Sequence, residues 1–427
     1  MQKAILYLYI ATIFYAIFYG ARAWFTWNIN GPYVNLALFI IILSFFFQKK
    51  FRTQISPNNI IAFGILLLSY VTTSDMSING MLNIIFILCV SCSVFLLPHC
   101  YIRKLFYTIQ NILFYLLIPA IILHIILLIV NIPSISIISH PSSDNYVYFN
   151  YLFLIKNHII YNNRFCGFCL EPGNMAALCC FMLYIDNFDL KNRKNFILIL
   201  AVLLSLSLAG YILLILGYMF SHVTNIKSII KKVIQILIII LAFYYISTTY
   251  NDGKNIINET IIERLTPDKE KGIAGNNRVT KVVDDYYEEF VKSNYLLLGY
   301  GNEKFEKIRK QELYWIAAGY KPFIMQYGLL RLIGVIAFYF IIAFNSKNRF
   351  YSMGFFTIIV LYSTSVTELF SYMWITLFLI GIKMNQTKQK RRLMKLPQTK
   401  FKQTNPKFSE IRTHSFKQHS IYKQHSI

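Results

Sequence analysis

The residues of this chain best placed to do chemistry form an R-x-x-G-x-x-x-E-P string, Arg164, Gly167, Glu171 and Pro172, directly ahead of an apolar run. Proline suits the first position of a helix, where its missing N–H would be unpaired anyway. That places Glu171 at the cap, with the helix amides pointing into the preceding loop. A helix start beside an arginine is a natural phosphate site. The same residues also fit a structural reading, with Arg164 as an interfacial anchor and Glu171 as a capping carboxylate favoured by the helix dipole. Arg331 lies within the apolar run 323–344, where a charge at a bilayer centre costs about 2.5 kcal/mol or more. Such a residue needs a partner: an anionic ligand, or an ion pair with Glu368. Arg278 opens an amphipathic segment, where a surface salt bridge is the ordinary role, and His124 fits an interhelical hydrogen bond.

Other chemistry lacks its parts. The chain carries no G-x-x-x-x-G-K-[ST], no G-x-S-x-G, no H-E-x-x-H and no D-x-D on a long connection. Nucleotide hydrolysis, serine hydrolysis, zinc proteolysis and metal-dependent sugar-nucleotide transfer are therefore not expected. Of the seven cysteines, Cys89, Cys92, Cys179 and Cys180 fall in apolar runs, where a thiol is a small apolar side chain. Cys166 and Cys169 have C-x-x-C spacing, but no second Cys/His pair follows at metal spacing. They are expected to be packing cysteines.

The elements that must position these residues are membrane helices. Hydrophobic residues make up 56% of the chain and charged ones 14%, too apolar a balance for a soluble protein of this length. The fold class expected is all-α and polytopic, with about twelve spans at 5–19, 33–47, 59–73, 81–97, 105–130, 174–185, 196–208, 210–220, 233–247, 323–344, 350–367 and 369–382. The first run ends near Ala21-Arg22-Ala23, but an arginine in the cleavage box and the spans that follow argue for an uncleaved helix. The formal charge of +23 is concentrated in short connections and the tail, which argues against nucleic acid. Lys49/Lys50/Arg52, Arg103/Lys104, Lys191/Arg193/Lys194, Lys227/Lys231/Lys232 and Lys347/Arg349 all become cytoplasmic if both termini are inside. Splitting 196–220 into two spans keeps that phase.

The chain divides into 1–130 with helices one to five, 131–247 with the string above and helices six to nine, a long outer loop 248–322, the last three helices in 323–382, and a basic tail 383–427. The tail repeats Lys-Gln-His-Ser-Ile at 417–421 and 423–427; it is expected to be disordered, and its charge suits an anionic leaflet. The 248–322 loop holds most of the chain's 19 acidic residues among a similar number of basic ones, as a folded insert would. Within it, Val279, Val282, Val283, Tyr286, Phe290 and Val291 recur at helical spacing behind Asn276-Asn277, which can cap. A short apolar run then meets Gly299-Tyr300-Gly301, where two glycines permit a tight turn, and a second helix is expected over 303–314.

Taken together, these features resemble the O-antigen polymerase (Wzy) and O-antigen ligase superfamily of bacterial envelope glycosyltransferases. The resemblance is carried, in order, by Arg164-Phe165-Cys166-Gly167 with Glu171-Pro172; by Leu204-Ser205-Leu206-Ser207-Leu208-Ala209-Gly210 dividing a paired span; by the large loop with Arg278 and Leu298-Gly299-Tyr300-Gly301; and by Met325-Gln326-Tyr327-Gly328-Leu329 returning to the membrane. It covers roughly 164–344. The turn in the paired span departs from the usual Ser-Arg or Ser-Thr-Gly pattern. Ligases of this superfamily are expected to carry a histidine in the large loop, and 248–322 contains none, which favours polymerase.

The resemblance implies transfer of a growing glycan from undecaprenyl pyrophosphate onto the next lipid-linked repeat unit, outside a bacterial cytoplasmic membrane. Positioning and charge stabilisation dominate such displacements. Arg164, Arg278 and Arg331 are then expected to hold the pyrophosphate, Glu171 to act as base toward the acceptor hydroxyl, and Gly167, Gly299, Tyr300 and Gly301 to shape the substrate site. The implied partners are undecaprenyl-pyrophosphate-linked oligosaccharide, membrane lipid, and glycan-assembly proteins such as a chain-length regulator, with no cofactor, metal or nucleic acid. The alternatives are a ligase of the same superfamily and a flippase of lipid-linked glycan. Transporters commonly show inverted repeats, and the halves of this chain show no internal similarity.

Overall fold

The structure is a computed structural model of the 427-residue chain. It describes residues 2–29, 32–46, 56–71, 78–140, 143–157, 163–221, 226–268, 272–273, 280–311, 319–364 and 371–395. Each of the twelve apolar runs contains a helix: α1 Gln2–Gly20, α2 Pro32–Phe46, α3 Pro57–Val71, α4 Ile78–Leu96, α5 His99–Ile129, α6 Pro172–Ile185, α7 Arg193–Leu204, α8 Leu208–Phe220, α9 Ile226–Thr249, and, after two helices in the long loop, α10 Lys281–Val291 and α11 Gly301–Gln311, the last three, α12 Tyr320–Phe344, α13 Arg349–Ser363 and α14 Tyr372–Lys395. Among the described residues three helices are long and apolar enough to cross a membrane, His99–Ile129, Lys227–Gly253 and Tyr320–Phe344, and several shorter apolar ones accompany them. The 31 residues of α5 span about 46 Å at roughly 1.5 Å per residue, more than a hydrocarbon core of about 30 Å requires.

Local chemistry sets the helix ends. The Asn192 side chain accepts from Lys194 N at 3.2 Å, Ser207 from Gly210 N at 3.3 Å and Asn348 from Tyr351 N at 3.3 Å, each satisfying an otherwise orphaned amide. The run 193–220 is divided at Ser205–Ser207, where Leu206 takes a left-handed φ of 46°, so α7 and α8 are separate helices. Helix α14 continues to Lys395, past the end of the apolar run at 382, because the residues that follow are mostly good helix formers such as Met, Gln, Lys, Arg and Leu. The repeated tail at 417–427 lies outside the described residues.

Helix α6 is the hub of the packing: every residue from Asn174 to Ile185 is buried. Tyr184 and Tyr351 stack at 4.6 Å and each donates to the other's backbone carbonyl, at 2.8 and 3.1 Å, which fastens α6 to α13. A methyl at Gly210 would lie 2.5 Å from Ala176 Cβ, so the glycine lets α8 approach α6 closely, as small residues do between membrane helices. By contrast only 6% of the apolar window of Lys227–Gly253 is buried, against 33% for α5 and 39% for α12.

The chain is mostly helical, consistent with the all-α expectation, and its few strands are short. Residues 131–173 contain an antiparallel sheet of β1 Ser136–His140, β2 Ser143–Asn150 and β3 Ile155–Lys156, in that order. Ser136 pairs with Asn150, and Phe149 with Lys156. The cause is local: serine and isoleucine alternate over 134–137, and Tyr146-Val147-Tyr148-Phe149 is β-branched and aromatic, both strand signals. A small separate core of Trp27, Tyr148, Ile155 and Leu170 holds the sheet. In the long loop a two-residue ladder joins β4 Pro267–Asp268 to β5 Gly272–Ile273. Helix α10 begins behind Thr280; the expected cap at Asn276-Asn277 lies outside the described residues. Helix α11 begins at Gly301, two residues earlier than expected.

Candidate functional site

The R-x-x-G-x-x-x-E-P string folds as a turn wedged between the sheet and three helices. Cys169 N donates to Cys166 O at 3.0 Å, closing the turn, and Ile155 N donates to Gly167 O at 2.8 Å, tying it to β3. Gly167 sits at φ +56°, the left-handed region that glycine enters without steric cost. Trp24 N donates to Phe168 O at 2.9 Å, Leu170 N to Arg22 O at 3.1 Å and Tyr148 Oη to Leu170 O at 2.8 Å. The segment ahead of α6 is thus held from both sides by the connection after α1 and by the sheet.

Arg164 is anchored to a helix end. Its Nε donates to Ser205 O at 3.2 Å, Phe165 N donates to Leu204 O at 3.0 Å, and Tyr211 Oη donates to Leu203 O at 2.7 Å. Leu204 O and Ser205 O at the end of α7 therefore find donors, Leu203 O gains a second one beside Leu206 N, and a guanidinium is the favoured charge at that pole of the helix dipole.

Glu171 occupies the cap of α6 with extended backbone, and Pro172 is the first helical residue. The Glu171 carbonyl accepts from Asn174 N and Met175 N, but its side chain makes no capping hydrogen bond. The half-buried carboxylate therefore stands at a helix N-terminus, where the dipole favours it, without a capping hydrogen bond.

A residue outside the sequence motifs completes the group. Lys156, on β3, is only 4% exposed, and burial pulls its pKa below the usual lysine value. Cys166, 1% exposed, lies within electrostatic reach of Arg164, Glu171 and Lys156, and burial, the largest influence, pushes its thiol up to about 12. Cys169 is raised as well, by burial first and then by Cys179 and Cys166. Both are buried free thiols. His124 of α5 presents its ring edge-on to Phe165 at 5.3 Å and is near enough to Lys156 to feel its charge. Its Nδ1 has no hydrogen-bond partner among the described residues, so the interhelical bond expected of it is not made through that atom. Two cations and one carboxylate thus lie within electrostatic reach of the Cys166 turn. Lys156 escaped motif reading because its neighbours carry no signature; the one available signal was a lysine inside a strand-like run.

The remaining described candidates form a second group at a break in α12. Gly328 interrupts the helix with φ 84° and ψ 163°, and Gly299 has φ +80°. The two glycines face each other. A methyl on Gly328 would lie 2.3 Å from Leu297 O, and one on Gly299 would lie 2.5 Å from Gly328 N. Tyr300 N donates to Met325 O at 2.7 Å, Leu329 N to Leu296 O at 2.9 Å and Leu330 N to Leu297 O at 3.1 Å, and Gln326 Nε2 donates to Asn302 Oδ1 at 2.8 Å, so the end of the long loop is stitched into the helix break mainly by backbone. The Tyr300 ring packs on Phe290 at 4.9 Å and lies beneath Lys304 Nζ at 4.4 Å, while Gly301, φ +76°, opens α11 with free space where a side chain would stand.

Arg331 follows three residues later, and its guanidinium lies between the rings of Tyr70 and Tyr327, at 4.1 and 4.0 Å. Among the described residues it is thus faced by two aromatic rings, and Nε itself has no hydrogen-bond partner among them. Glu368 and Arg278 lie outside the described residues. The structure therefore gathers Arg164, Gly167 and Glu171 in one group and Gly299, Tyr300, Gly301 and Arg331 in another. Among the described residues no cluster of three or more His, Cys, Asp or Glu could hold a metal ion. No family model, curated protein or solved structure matches the chain.

Proposed function

We propose that this chain is a polysaccharide repeat-unit polymerase of the O-antigen type, a metal-independent glycosyltransferase crossing a bacterial cytoplasmic membrane about twelve times with both termini inside. The reading is carried by one observation: the turn that leads into α6 joins an arginine fixed at a helix end, Arg164, to a carboxylate with no capping hydrogen bond at the helix start, Glu171. In the reaction the acceptor hydroxyl of the next lipid-linked unit attacks the anomeric carbon of the growing chain. The bond from that carbon to the pyrophosphate oxygen breaks, and undecaprenyl pyrophosphate leaves with the electron pair. Glu171 takes the acceptor proton, a role worth typically 10²- to 10⁴-fold. Arg164, Arg278 and, deeper along α12, Arg331 hold the departing diphosphate, because fixed cations stabilise charge that develops in the transition state. Gly167 shapes the turn at the first group, and Gly299, Tyr300 and Gly301 join the long loop to α12 beside the sugar chain.

The absence of histidine from 248–322 supports polymerase over ligase. The helices α10 and α11 within the same segment support an enzyme with a folded insert over a flippase. A strain lacking the protein should make surface glycan with a single repeat unit and no ladder on a gel. A normal ladder in that strain rejects the reading. Arg164→Ala and Arg278→Ala should reproduce the deletion at unchanged protein abundance; full polymerisation by both variants would show the cations to be misassigned while leaving the activity open.

A further inference from the structure

The end of the long loop, expected from sequence to lie outside the membrane, presents apolar side chains at its surface. Leu297 and Leu298 are 53% and 51% exposed, beside the break in α12. The backbone bonds from Leu329 and Leu330 to Leu296 and Leu297 join them to the outward stripe of α12. That stripe, Leu330, Ile333, Phe340 and Phe344, is exposed and spaced to share one helix face. On a helix long and apolar enough to cross a membrane, such a stripe faces lipid.

Length sets the depth of the break. From Leu329 to its end at Phe344, α12 rises about 24 Å at roughly 1.5 Å per residue, less than a hydrocarbon core of about 30 Å. With Phe344 at one boundary, just ahead of Lys347 and Arg349, the break falls about 6 Å inside the other, and tilt carries it deeper. The neighbouring α3 reaches the same level: Asn58 Nδ2 donates to Asn345 Oδ1 at 3.3 Å, and at the other end Tyr70 faces Arg331, with Leu68 and Val71 exposed.

Irregular backbone at that depth has no water to pair with, so its polar groups must be satisfied within the protein. An unbroken helix would join Leu329 N to Met325 O. Here Tyr300 N takes Met325 O, Leu329 N turns to Leu296 O, Leu330 N to Leu297 O, and Gly299 N donates to Tyr295 O at 2.7 Å. Each of these amides finds an acceptor without water. Just ahead of the leucines, the Tyr295 ring lies 3.9 Å beneath Lys304 Nζ, and tyrosine with lysine is a pairing that collects at membrane–water boundaries.

We propose that Leu296–Gly299 is a re-entrant segment seated in the hydrocarbon layer, with Leu297 and Leu298 against lipid acyl chains and with Tyr295 and Lys304 at headgroup level. The inference concerns where the folded insert meets the bilayer and stands apart from the polymerase reading.

The test uses the full chain carrying Cys89→Ala, Cys92→Ala and Cys100→Ala, which removes the native thiols that are not buried. It is reconstituted in liposomes of phosphatidylcholine and phosphatidylglycerol, with a nitroxide attached at Leu298→Cys, Ile333→Cys or Lys307→Cys. Collisions with dissolved oxygen, which concentrates in hydrocarbon, are compared with collisions with a nickel chelate, which hydrocarbon excludes. The oxygen-to-nickel ratio at position 298 should match that at 333 within about twofold and exceed that at 307, exposed on α11, by about threefold or more. A ratio at 298 equal to that at 307 would put the leucines in water. Shielding from both reagents would mean that protein, a second copy or another chain, covers them. Either result overturns the proposal. If the label at 298 abolishes the thermal transition, Leu297→Cys, at an equally exposed position, takes its place and is read by the same ratios. No glycan enters this measurement, so a normal ladder in the deletion strain would remove the polymerase reading and leave the seated segment in place.

Discussion

The two groups of candidate residues are built in opposite ways. At the head of α6 the backbone is held by ordinary turn and sheet bonds, and Lys156, Arg164 and Glu171 each lie within electrostatic reach of Cys166 in that turn. At the break in α12 there is little room for side chains: Gly299 and Gly328 meet backbone to backbone, three main-chain hydrogen bonds cross the junction, and the half-buried guanidinium of Arg331 is faced by two tyrosine rings. The first group is thus a turn that carries charged side chains, whereas the second is a backbone junction that aligns the long loop with α12.

The largest effect that would sharpen this contrast is expected at the glycine junction. Gly328 combines a backbone conformation that is essentially glycine-only with a neighbouring carbonyl where Cβ would be, so Gly328→Ala should cost about 4 kcal/mol or more. We expect loss of cooperative thermal unfolding in detergent and rapid proteolysis within 248–322. Gly301→Ala has a comparable φ but open space around it, and should cost only about 1–2 kcal/mol for the left-handed conformation. Equal destabilisation by the two substitutions would mean that close backbone approach is not what holds the junction.

Next in size is Glu171. Because its side chain makes no capping bond, Glu171→Gln should leave the melting temperature of the purified protein unchanged within error while lowering polymerisation by about 100-fold or more. A loss of stability without loss of rate would turn the comparison round, making the head of α6 the structural region.

These expectations also define what the sequence could disclose. The helix positions were legible because a soluble core has no use for so many apolar runs of near-bilayer length, and the proline at the start of α6 was legible because its backbone constraint is intrinsic. The sheet was not foreseen, since its strands are short and their alternation is diluted by the surrounding hydropathy. Lys156 was missed for the same reason, because a strand sets its neighbours through pairing with residues distant in sequence. The break at Gly328 lies inside a run whose hydropathy reads as continuous helix; glycine in a helical run announces neither its φ nor the segment that packs against it.

Arg331 offers a smaller, more discriminating test. Each ring contact is worth about 0.5–2 kcal/mol, so Arg331→Met should lower stability by about 1–3 kcal/mol, while Arg331→Lys, which keeps the charge but not the planar stack, should lower it by about 1 kcal/mol and retain polymerisation. If Arg331→Lys instead abolishes polymer at full stability, the guanidinium geometry reaches the substrate and the separation of the two groups dissolves.

The smallest effect concerns the thiols at the centre of the first group. Cys166, with its thiol pushed up to about 12, is a thiolate to only about one part in 10⁴ at pH 8, and it is buried beneath the turn, whereas Cys100 is exposed. Brief treatment of the folded protein with a maleimide at pH 8 should therefore label Cys100 and leave Cys166 and Cys169 unmodified, as mass spectrometry of the digested protein would read. Prompt modification of Cys166 at pH 8 would mean that the turn opens readily, and an opening turn could not hold Arg164 and Glu171 in fixed positions at the head of α6.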